Sequence, residues 1–436
     1  MAQEQEPRHY DLILFGATGY TGKLTAEWIS THLSSNLTWA IAGRNPKKLQ
    51  SVADELTRLN PSHQQPAIEV CELSKDKLLP LIRTTRLVIT TIGPYMLYGE
   101  PLLAACAESG THYLDCTGEV PWIHEMLAKY ESTAQRTGAI LIPECGLDSV
   151  PADMLTYALT RHMRKTFDKP TSSVVLTLYD FKSGISGGTA STFLNLFSHY
   201  SLRHLATSMH PYSLSPVPTS NPSPPPQPSP LHRALGVVSV PELGGIQTVG
   251  VMASVDTCIV HRSWGLYQTA ADPSLAYGPH FRFSEYSRPA SLLRGSLFRL
   301  GITLTTLLLA FPLTRWLLSP LLTRFVIPAA GDGPQRASMT DDYMHYRGVG
   351  YAEMGEHSSQ KGPEPQKVIG NFYSPHGGYL TTALTLTAAA DLLLNGDVQS
   401  SEAGRVGGGI FTPAMLGDAY VRKLGDFGMK IEVEKA

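Results

Sequence analysis

Three glycines near the start of the chain have the spacing of a phosphate-binding loop. Gly16, Gly19 and Gly22 follow an apolar run at residues 10–15 and precede a helix-forming segment at 23–33. Glycine lets the backbone turn sharply and lets a phosphate approach the N–H groups, and a helix start favours negative charge. Because the loop opens a strand–helix–strand pattern, it predicts a dinucleotide site, against the alternative of a purely structural turn. The predicted cofactor contacts of this loop are Gly16, Thr18, Gly19, Tyr20, Thr21 and Gly22.

The residue after the second predicted strand indicates which dinucleotide binds. An NAD site usually has an acidic side chain there, which holds the ribose 2′-hydroxyl. Here Arg44 follows Ala42 and Gly43, and two further cations, Lys47 and Lys48, are close by. An arginine binds a phosphate such as the 2′-phosphate of NADP through charge-assisted hydrogen bonds. We therefore predict NADP(H) as the cofactor, the alternative being a solvated arginine in a loop.

The loop after the fourth predicted strand contains candidate catalytic side chains. In an open α/β sheet, ligands bind at the carboxyl ends of the strands. Gly93 and Pro94 fix a turn that can pass close under the cofactor, and they are predicted cofactor contacts. Tyr95 and Tyr98 each carry a phenol that could donate a proton or orient a carbonyl group. The competing interpretation is that both rings pack over the cofactor or the domain interface.

Acidic residues follow the fifth and sixth predicted strands. Asp115 and Glu119 are candidates for acid–base chemistry or for hydrogen bonds to ribose, and Asp115 is a predicted cofactor contact. Asp115 could equally cap the following helix, as Asp148 or Ser149 could cap the next one. Cys116 is a poor candidate nucleophile because the sequence marks no partnering histidine.

The elements that must position these residues alternate as an α/β fold requires. Six strands are predicted at 10–15, 37–42, 67–71, 87–92, 112–115 and 139–142, with helices at 46–59, 100–109 and 120–137. This pattern predicts a doubly wound Rossmann domain over residues 1–150.

A second, α+β domain is predicted over residues 151–400, for substrate binding and dimerisation. Its first predicted elements are strands at 174–179 and 255–260 and a helix at 189–205. His261, Arg262 and Trp264 could line a substrate pocket, although a lone histidine is more often structural. The segment at 211–231 contains nine prolines, and we expect no regular structure there.

An apolar segment at 297–322 suggests contact with lipid. Its uncharged part, 300–314, is shorter than the ~20 residues that a membrane span needs. The flanking region 291–325 has arginines at 294, 299, 315 and 324 and no acidic residue. This pattern predicts a helical hairpin in a membrane interface, bent at Pro312 and Pro320. The alternatives are a buried helical pair and a dimer contact.

The composition excludes several classes of protein. The 436 residues have a net charge of -2 and no basic run, so no nucleic-acid partner is expected. The five cysteines, at 71, 106, 116, 145 and 258, show neither C-x-x-C nor zinc spacing, which indicates a reducing compartment and no metal site. Residues 1–9 are polar and acidic, unlike a signal or transit peptide, so a cytosolic protein is expected.

Several motifs occur in an order that resembles a known family. They are 16–22 (GATGYTG), 42–44 (AGR), 93–95 (GPY), 98–101 (YGEP), 115–119 (DCTGE), 146–153 (GLDSVPAD), 331–334 (GDGP), 377–379 (GGY) and 407–413 (GGGIFTP). Together they resemble the saccharopine dehydrogenase-like oxidoreductases, which include the trans-acting enoyl reductases of polyketide and lipid assembly. The match extends over nearly the whole chain, and the proline-rich stretch is its main departure.

The resemblance implies an NADP-dependent enoyl reductase that acts on an unsaturated polyketide or lipid acyl intermediate. The implied substrate is a hydrophobic small molecule or a carrier-bound acyl chain, with a polyketide synthase as a candidate partner and a homodimer as a candidate assembly. Residues 401–436 are expected to return to the first domain, with 407–413 near the cofactor. Animal relatives carry a similar apolar segment, which implies a cytoplasmic enzyme peripheral on the endoplasmic reticulum or lipid droplets.

Two other functions stay open from the sequence. One is reduction of an imine, as in saccharopine formation, whose carboxylate-rich substrate would need an arginine cluster in the second domain. The arginines there lie mainly around the apolar segment, which argues against it. The other is a non-catalytic, nucleotide-bound protein on a lipid surface.

Overall fold

The computed structural model describes residues 8–184, 187–219, 229–325, 333–354 and 365–436. The strands, in chain order, are β1 Tyr10–Phe15, β2 Trp39–Gly43, β3 Ala67–Val70, β4 Thr85–Thr90, β5 His112–Asp115, β6 Ile140–Ile142, β7 Thr171–Lys182, β8 Val238–Val240, β9 Gly245–Val249, β10 Arg282–Ser287, β11 Tyr343–Ala352, β12 Lys367–Ser374, β13 Gly409–Ile410 and β14 Lys430–Lys435. The helices are α1 Tyr20–His32, α2 Pro46–Leu59, α3 Lys75–Arg83, α4 Tyr95–Tyr98, α5 Glu100–Ser109, α6 Val120–Thr137, α7 Val150–Phe167, α8 Gly187–His199, α9 Leu202–Ser208, α10 Pro230–Leu235, α11 Ala253–Gln268, α12 Leu292–Ala310, α13 Pro312–Phe325, α14 Gly378–Leu394, α15 Glu402–Val406 and α16 Gly417–Asp426.

The first sheet is a parallel, doubly wound sheet of seven strands. Its order is β13-β6-β5-β4-β1-β2-β3. The strands β2 and β3 are added on one side of β1 and the later strands on the other, so the strand order switches sides between β1 and β4, which are parallel neighbours. The central strands are apolar on both sides because helices cover both faces, and Leu12, Ile13 and Leu14 are fully buried. The predicted Rossmann fold is confirmed.

The second sheet is mixed and forms the α+β part of the molecule. Its order is β14-β12-β11-β7-β10-β9-β8, in which β7 and β10 are parallel and the other pairs are antiparallel. The helix α7 packs on one face, where Gly348 and Gly370 leave room for it. A Cβ on Gly370 would lie 3.0 Å from Leu155 Cδ1 and 3.1 Å from Leu159 Cδ2. Since α7 directly follows the loop after β6, it links the two sheets at the edge that carries the candidate site.

The chain returns to the first sheet after building the second one. The helix α14 packs against α1 and over β4 and β5, and β13 pairs in parallel with β6. The last strand, β14, pairs with β12 at the edge of the second sheet. The return to the first sheet therefore begins at Gly378, ahead of residue 401.

Some sequence-based predictions of elements are wrong. The strand predicted at 255–260 lies inside α11, where Cys258, Ile259 and Val260 are buried by neighbours on several sides. The helix predicted at 189–205 is two helices, because Ser201 accepts a hydrogen bond from His204 N (3.2 Å) and starts α9. The proline-rich segment ends in the helix α10, and its residues 220–228 lie outside the described part of the chain.

The apolar segment forms two successive helices, α12 and α13, that are separated at Phe311. Arg315 Nη1 donates to Leu309 O (3.0 Å), and the Thr314 hydroxyl donates to Leu308 O. Pro312 is the first residue of α13, a position at which a helix tolerates proline. The residues 326–332 that follow lie outside the described part.

Candidate active site

The glycine loop forms an anion cradle at the start of α1. Gly16 has a φ of 88°, which favours glycine. A Cβ on Gly22 would lie 2.1 Å from Gly16 O, so α1 can start this close to the loop only with glycine at position 22. Gly19 N donates to Gly16 O (2.9 Å), and no side chain caps the helix at Gly19. The first N–H groups of α1 therefore remain for a phosphate.

The other loop residues divide between backbone and side-chain roles. Tyr20 OH donates to Pro334 O (2.7 Å), and its ring packs edge-on against Tyr379 at 5.1 Å. The Tyr20 side chain is therefore engaged with Pro334 and Tyr379 of the second domain. The group of Tyr20 that remains for a cofactor is its backbone N–H. Thr18 and Thr21 are partly accessible in the same loop.

Arg44 lies exposed at the carboxyl end of β2, where NADP(H) carries its 2′-phosphate. The adjacent Asn45 accepts a hydrogen bond from Lys48 N (3.1 Å) and begins α2, with Pro46 in the first turn. This cap holds the loop while leaving the guanidinium in solvent. The cradle and this cation fit a phosphorylated dinucleotide.

Tyr95 is buried, and its phenol is used within the protein. The Gly93–Pro94 bond is cis, and Tyr95 follows it at the start of α4. Tyr95 OH donates to Thr90 O (2.9 Å) and accepts from Cys116 N (3.3 Å). Burial also raises the pKa of Tyr95 well above its ordinary value. This geometry favours the packing role over proton donation, whereas the Tyr98 side chain, at the other end of α4, is 47% exposed.

Asp115 and Glu119 are buried, and both hold loops in place. Asp115 Oδ2 accepts from Tyr113 OH (2.7 Å), and Oδ1 accepts from Thr117 N and Glu144 N (both 2.9 Å). Desolvation raises the pKa of Asp115 to about 7. With both oxygens engaged, Asp115 joins the loops after β5 and β6, and neither oxygen is left for ribose.

Glu119 accepts from Tyr95 N (2.8 Å) and Met96 N (2.6 Å) and so binds the first turn of α4. It is not a helix cap for α6, which has no side-chain cap. Its carboxylate therefore holds the loop that carries Tyr95 and Tyr98.

The loop after β6 brings further carboxylates to this edge. The predicted caps of α7 are wrong: Ser149 Oγ donates instead to Glu144 Oε2 (3.3 Å), and no side chain caps this helix. Asp148 lies against Gly118, because a Cβ on Gly118 would be 2.8 Å from Asp148 Oδ2. Desolvation raises the pKa of Asp148 to about 6.

The second domain adds two buried acids and a phenol that sequence reasoning missed. Asp256 on α11 and Glu285 on β10 are 1% and 4% exposed, and Tyr346 OH donates to Glu285 Oε1 (3.4 Å). Burial, followed by repulsion from Glu285, raises the pKa of Asp256 well above its usual range. The available signal was weak: Asp256 is a single acidic residue in an otherwise apolar stretch, and Glu285 lies in a strand of mixed polarity.

The other predicted pocket residues have structural roles. Arg262 is buried and donates to Leu214 O (2.7 Å) and Ile410 O, and it pairs with Glu131 (3.2 Å). His261 contacts Thr257 O (2.7 Å), and Trp264 Nε1 donates to Gly278 O (2.7 Å). Burial lowers the pKa of His261 to about 4. Across the described residues, no group of His, Cys, Asp and Glu side chains is arranged to hold a metal ion.

A phosphate cradle and a phosphate-binding cation at the carboxyl edge of a doubly wound sheet define a dinucleotide-binding protein. Residues 12–142 match the family model "Saccharopine dehydrogenase NADP binding domain". A trans-acting enoyl reductase homologue of Mycobacterium tuberculosis is 32% identical over 440 residues, 98% of each chain. The trans-acting enoyl reductase of Mycobacterium leprae is 35% identical over 286 residues, 64% of this chain and 66% of that one.

The overall fold is that of saccharopine dehydrogenase (L-Glu forming) from Saccharomyces cerevisiae. The TM-score is 0.50 at 12% identity, over 98% of this chain and 100% of that one. The chain belongs to the saccharopine dehydrogenase-like oxidoreductases, with the trans-acting enoyl reductases as its relatives. It is an oxidoreductase that binds NADP(H), and the cradle at Gly16–Gly22 and Arg44 are the residues suited to hold that cofactor.

Proposed function

We propose that this oxidoreductase is a trans-acting enoyl reductase, which reduces the carbon–carbon double bond of an α,β-unsaturated acyl thioester. The observation that carries the proposal is the similarity over 98% of both chains to a relative of that name. NADPH supplies the hydride. The acyl group is a polyketide or lipid intermediate, presented as a hydrophobic small molecule or on a carrier such as that of a polyketide synthase.

The charges near the site favour a neutral thioester over a saccharopine-like imine. The ionisable groups that the second domain brings towards Asp148 are Asp256, Glu285 and Tyr346, and none of them is a cation. Carboxylates here repel a substrate that itself carries several carboxylates. The buried Arg262 is already committed to Glu131 and two backbone carbonyls.

The test is an NADPH oxidation assay on the purified full-length protein. Short- and long-chain α,β-unsaturated thioesters of coenzyme A and of a loaded acyl carrier protein are compared with an imine formed from an amino acid and a 2-oxo acid. We expect oxidation with the thioesters and none with the imine. Oxidation with the imine alone overturns the proposal. NADPH binding with no turnover of either substrate supports the non-catalytic alternative.

We also propose that α12 and α13 bind a lipid surface, which makes this cytoplasmic enzyme peripheral on the endoplasmic reticulum or on lipid droplets. Within the described residues, α12 is the one helix whose length and composition would allow it to cross a membrane, and of its residues only Gly295 and Leu309 are buried. The exposed large apolar side chains of α12, of α13 and of Phe311 between them are Leu292, Leu293, Leu297, Phe298, Leu300, Leu304, Leu307, Phe311, Leu313, Trp316 and Leu317. An exposed apolar surface with arginines among its side chains suits an anionic membrane interface.

The test is flotation with vesicles of phosphatidylcholine and phosphatidylserine. We expect the wild type to float and Leu304→Glu with Leu307→Glu to stay in the pellet. Leu59→Glu, on the exposed face of α2 (48% exposed), is the matched control and should float. Sedimentation of the same proteins tests the alternative that this surface is a homodimer contact. In that case the wild type would be a dimer, the double variant would be a monomer, and none of the proteins would float.

A further inference from the structure

Asp148 occupies the meeting point of two loops at the carboxyl edge of the first sheet. Its Oδ2 lies against Gly118, in the loop after β5. The same two loops touch at Gly146, where a Cβ would be 2.9 Å from Cys116 Cβ. This edge is where a doubly wound sheet presents the reactive end of its dinucleotide, so Asp148 lies on the substrate side of the cofactor site.

Unlike its neighbours, the Asp148 carboxyl group is not used to hold the fold. Asp115 and Glu119 accept hydrogen bonds at both oxygens. Asp153 likewise accepts from Ser263 Oγ (2.6 Å) and Ala414 N (2.7 Å). For Asp148, the described part of the chain supplies neither a hydrogen bond nor an ion pair, and the residue is partly accessible. A group with these properties is available to a ligand and to solvent.

The groups that face Asp148 from every side are acidic. They are Glu144 in its own loop, Cys116 after β5, Asp256 on α11, Glu285 on β10 and Tyr346 on β11. No lysine or arginine of the described residues pairs with any of these carboxylates.

These acids lie in the interior. Glu144 Oε1 is buried without a hydrogen-bond partner in the described structure, and the buried carboxyl groups of Asp256 and Glu285 hydrogen-bond to and repel each other. Buried carboxylates without counterions disfavour further negative charge nearby. Burial raises the pKa of Asp148 to about 6, and the acidic surroundings act in the same direction, towards a protonated Asp148.

We propose that Asp148 is the proton donor of the reduction, an assignment that rests on the proposed function. Asp148 gives its carboxyl proton to the α-carbon of the enoyl thioester as the β-carbon receives the hydride from NADPH. The electron pair of the carbon–carbon double bond forms the new α-C–H bond, and the O–H bond of Asp148 breaks. The products are the saturated thioester, NADP⁺ and the Asp148 carboxylate, which solvent reprotonates.

The test compares Asp148→Asn with Asp148→Glu and with the exposed control Asp341→Asn, whose side chain is 84% accessible. Loss of a general acid should lower kcat by about 10²–10⁴-fold. We expect KM and NADPH affinity to stay within about threefold, because the donor acts on the reacting carbon. Asp148→Glu should recover part of kcat, and Asp341→Asn should match the wild type.

Two further readouts separate proton donation from a structural role. The donor is active when protonated, so wild-type kcat/KM should fall as the pH rises through about 6, and this fall should vanish in Asp148→Asn. Infrared difference spectra of the protein without substrate should show several carboxyl groups titrating near that range, Asp115 and Glu285 among them. One of these bands should be absent from Asp148→Asn and present in Asp341→Asn. If Asp148→Asn does not fold, Gly118→Ala displaces the carboxyl group instead and should lower kcat without changing NADPH affinity.

The outcomes that overturn the assignment are distinct from failure of the proposed function. If the wild type reduces thioesters and Asp148→Asn keeps kcat within threefold of it, the donor is another group and the enoyl reductase function stands. If the infrared titration is unchanged in Asp148→Asn, the assignment is likewise overturned. If the wild type reduces no thioester, the proposed function fails and the donor assignment fails with it.

Discussion

Replacement of Arg44 by alanine is the sharpest test of how the protein selects its cofactor. Arg44 is exposed at the carboxyl end of β2, so its guanidinium would meet the 2′-phosphate of NADP(H) close to solvent. A hydrogen bond between charged groups contributes about 1.5–3 kcal/mol, and exposed ion pairs lie at the low end of such values. We therefore expect a loss of about 1–2 kcal/mol, which is about five- to thirtyfold in Kd.

The assay is direct titration of NADPH and of NADH, followed by cofactor fluorescence. NADH lacks the 2′-phosphate, so its affinity should change by less than about twofold while NADPH affinity falls. Added salt should shrink the difference between wild type and variant, because the Debye length is about 10 Å at 0.1 M. Arg58→Ala, an exposed arginine in the last turn of α2, is the matched control and should bind both cofactors normally.

The result that refutes this reasoning is an unchanged preference for NADPH in Arg44→Ala. Equal losses for NADPH and NADH would also refute it, because they would show that Arg44 supports the loop rather than the 2′-phosphate.

Three other substitutions probe the loops of the site. Gly22→Ala places a Cβ 2.1 Å from Gly16 O, so we expect NADPH binding too weak to titrate and a lower Tm. Normal NADPH binding would contradict the assignment of this loop as the phosphate cradle. Tyr95→Phe removes the hydroxyl between Thr90 O and Cys116 N. Urea unfolding should show a loss of about 1 kcal/mol in the free energy of unfolding, with kcat nearly unchanged. A large drop in kcat at unchanged stability would instead support a catalytic role for Tyr95. Burial raises the pKa of Glu285 from 4.5 to about 6. The folded state therefore holds this proton more tightly than the unfolded state, and the resulting contribution to the free energy of unfolding is fully present below pH 4.5 and is lost as the pH rises through 6. Glu285→Gln should flatten the pH dependence of the unfolding free energy over that range, and an equally steep dependence would show that another group causes it.

The first sheet was predictable because its signals are local. The glycine spacing, the apolar strands and Arg44 at a strand end are each readable within a few residues. The alternation of strand and helix then places every loop that follows a strand at the same edge. Tyr95 illustrates the limit: its type and spacing suited catalysis, but its burial depends on the Cys116 backbone, which a separate strand brings into contact.

The second domain was less predictable because its site residues meet through long-range pairing. Asp256, Glu285 and Tyr346 are distant in sequence, and they meet because β10 and β11 both pair with β7 while α11 packs on β10. A single sequence gives no register for such pairs. The segment 255–260 shows a second limit, since a short apolar run suits a strand and a buried helix equally well.

The late return of the chain has a consequence for synthesis. The strand β13 completes the first sheet at Gly409–Ile410, α14 covers β4 and β5, and Arg86 Nη2 donates to Leu394 O (2.7 Å). A ribosome that has released the first 150 residues has therefore released a sheet with one edge unpaired and one face partly bare. That surface stays open until α14 and β13 have emerged, so the nascent cofactor domain needs shielding from other chains while the second domain is being translated.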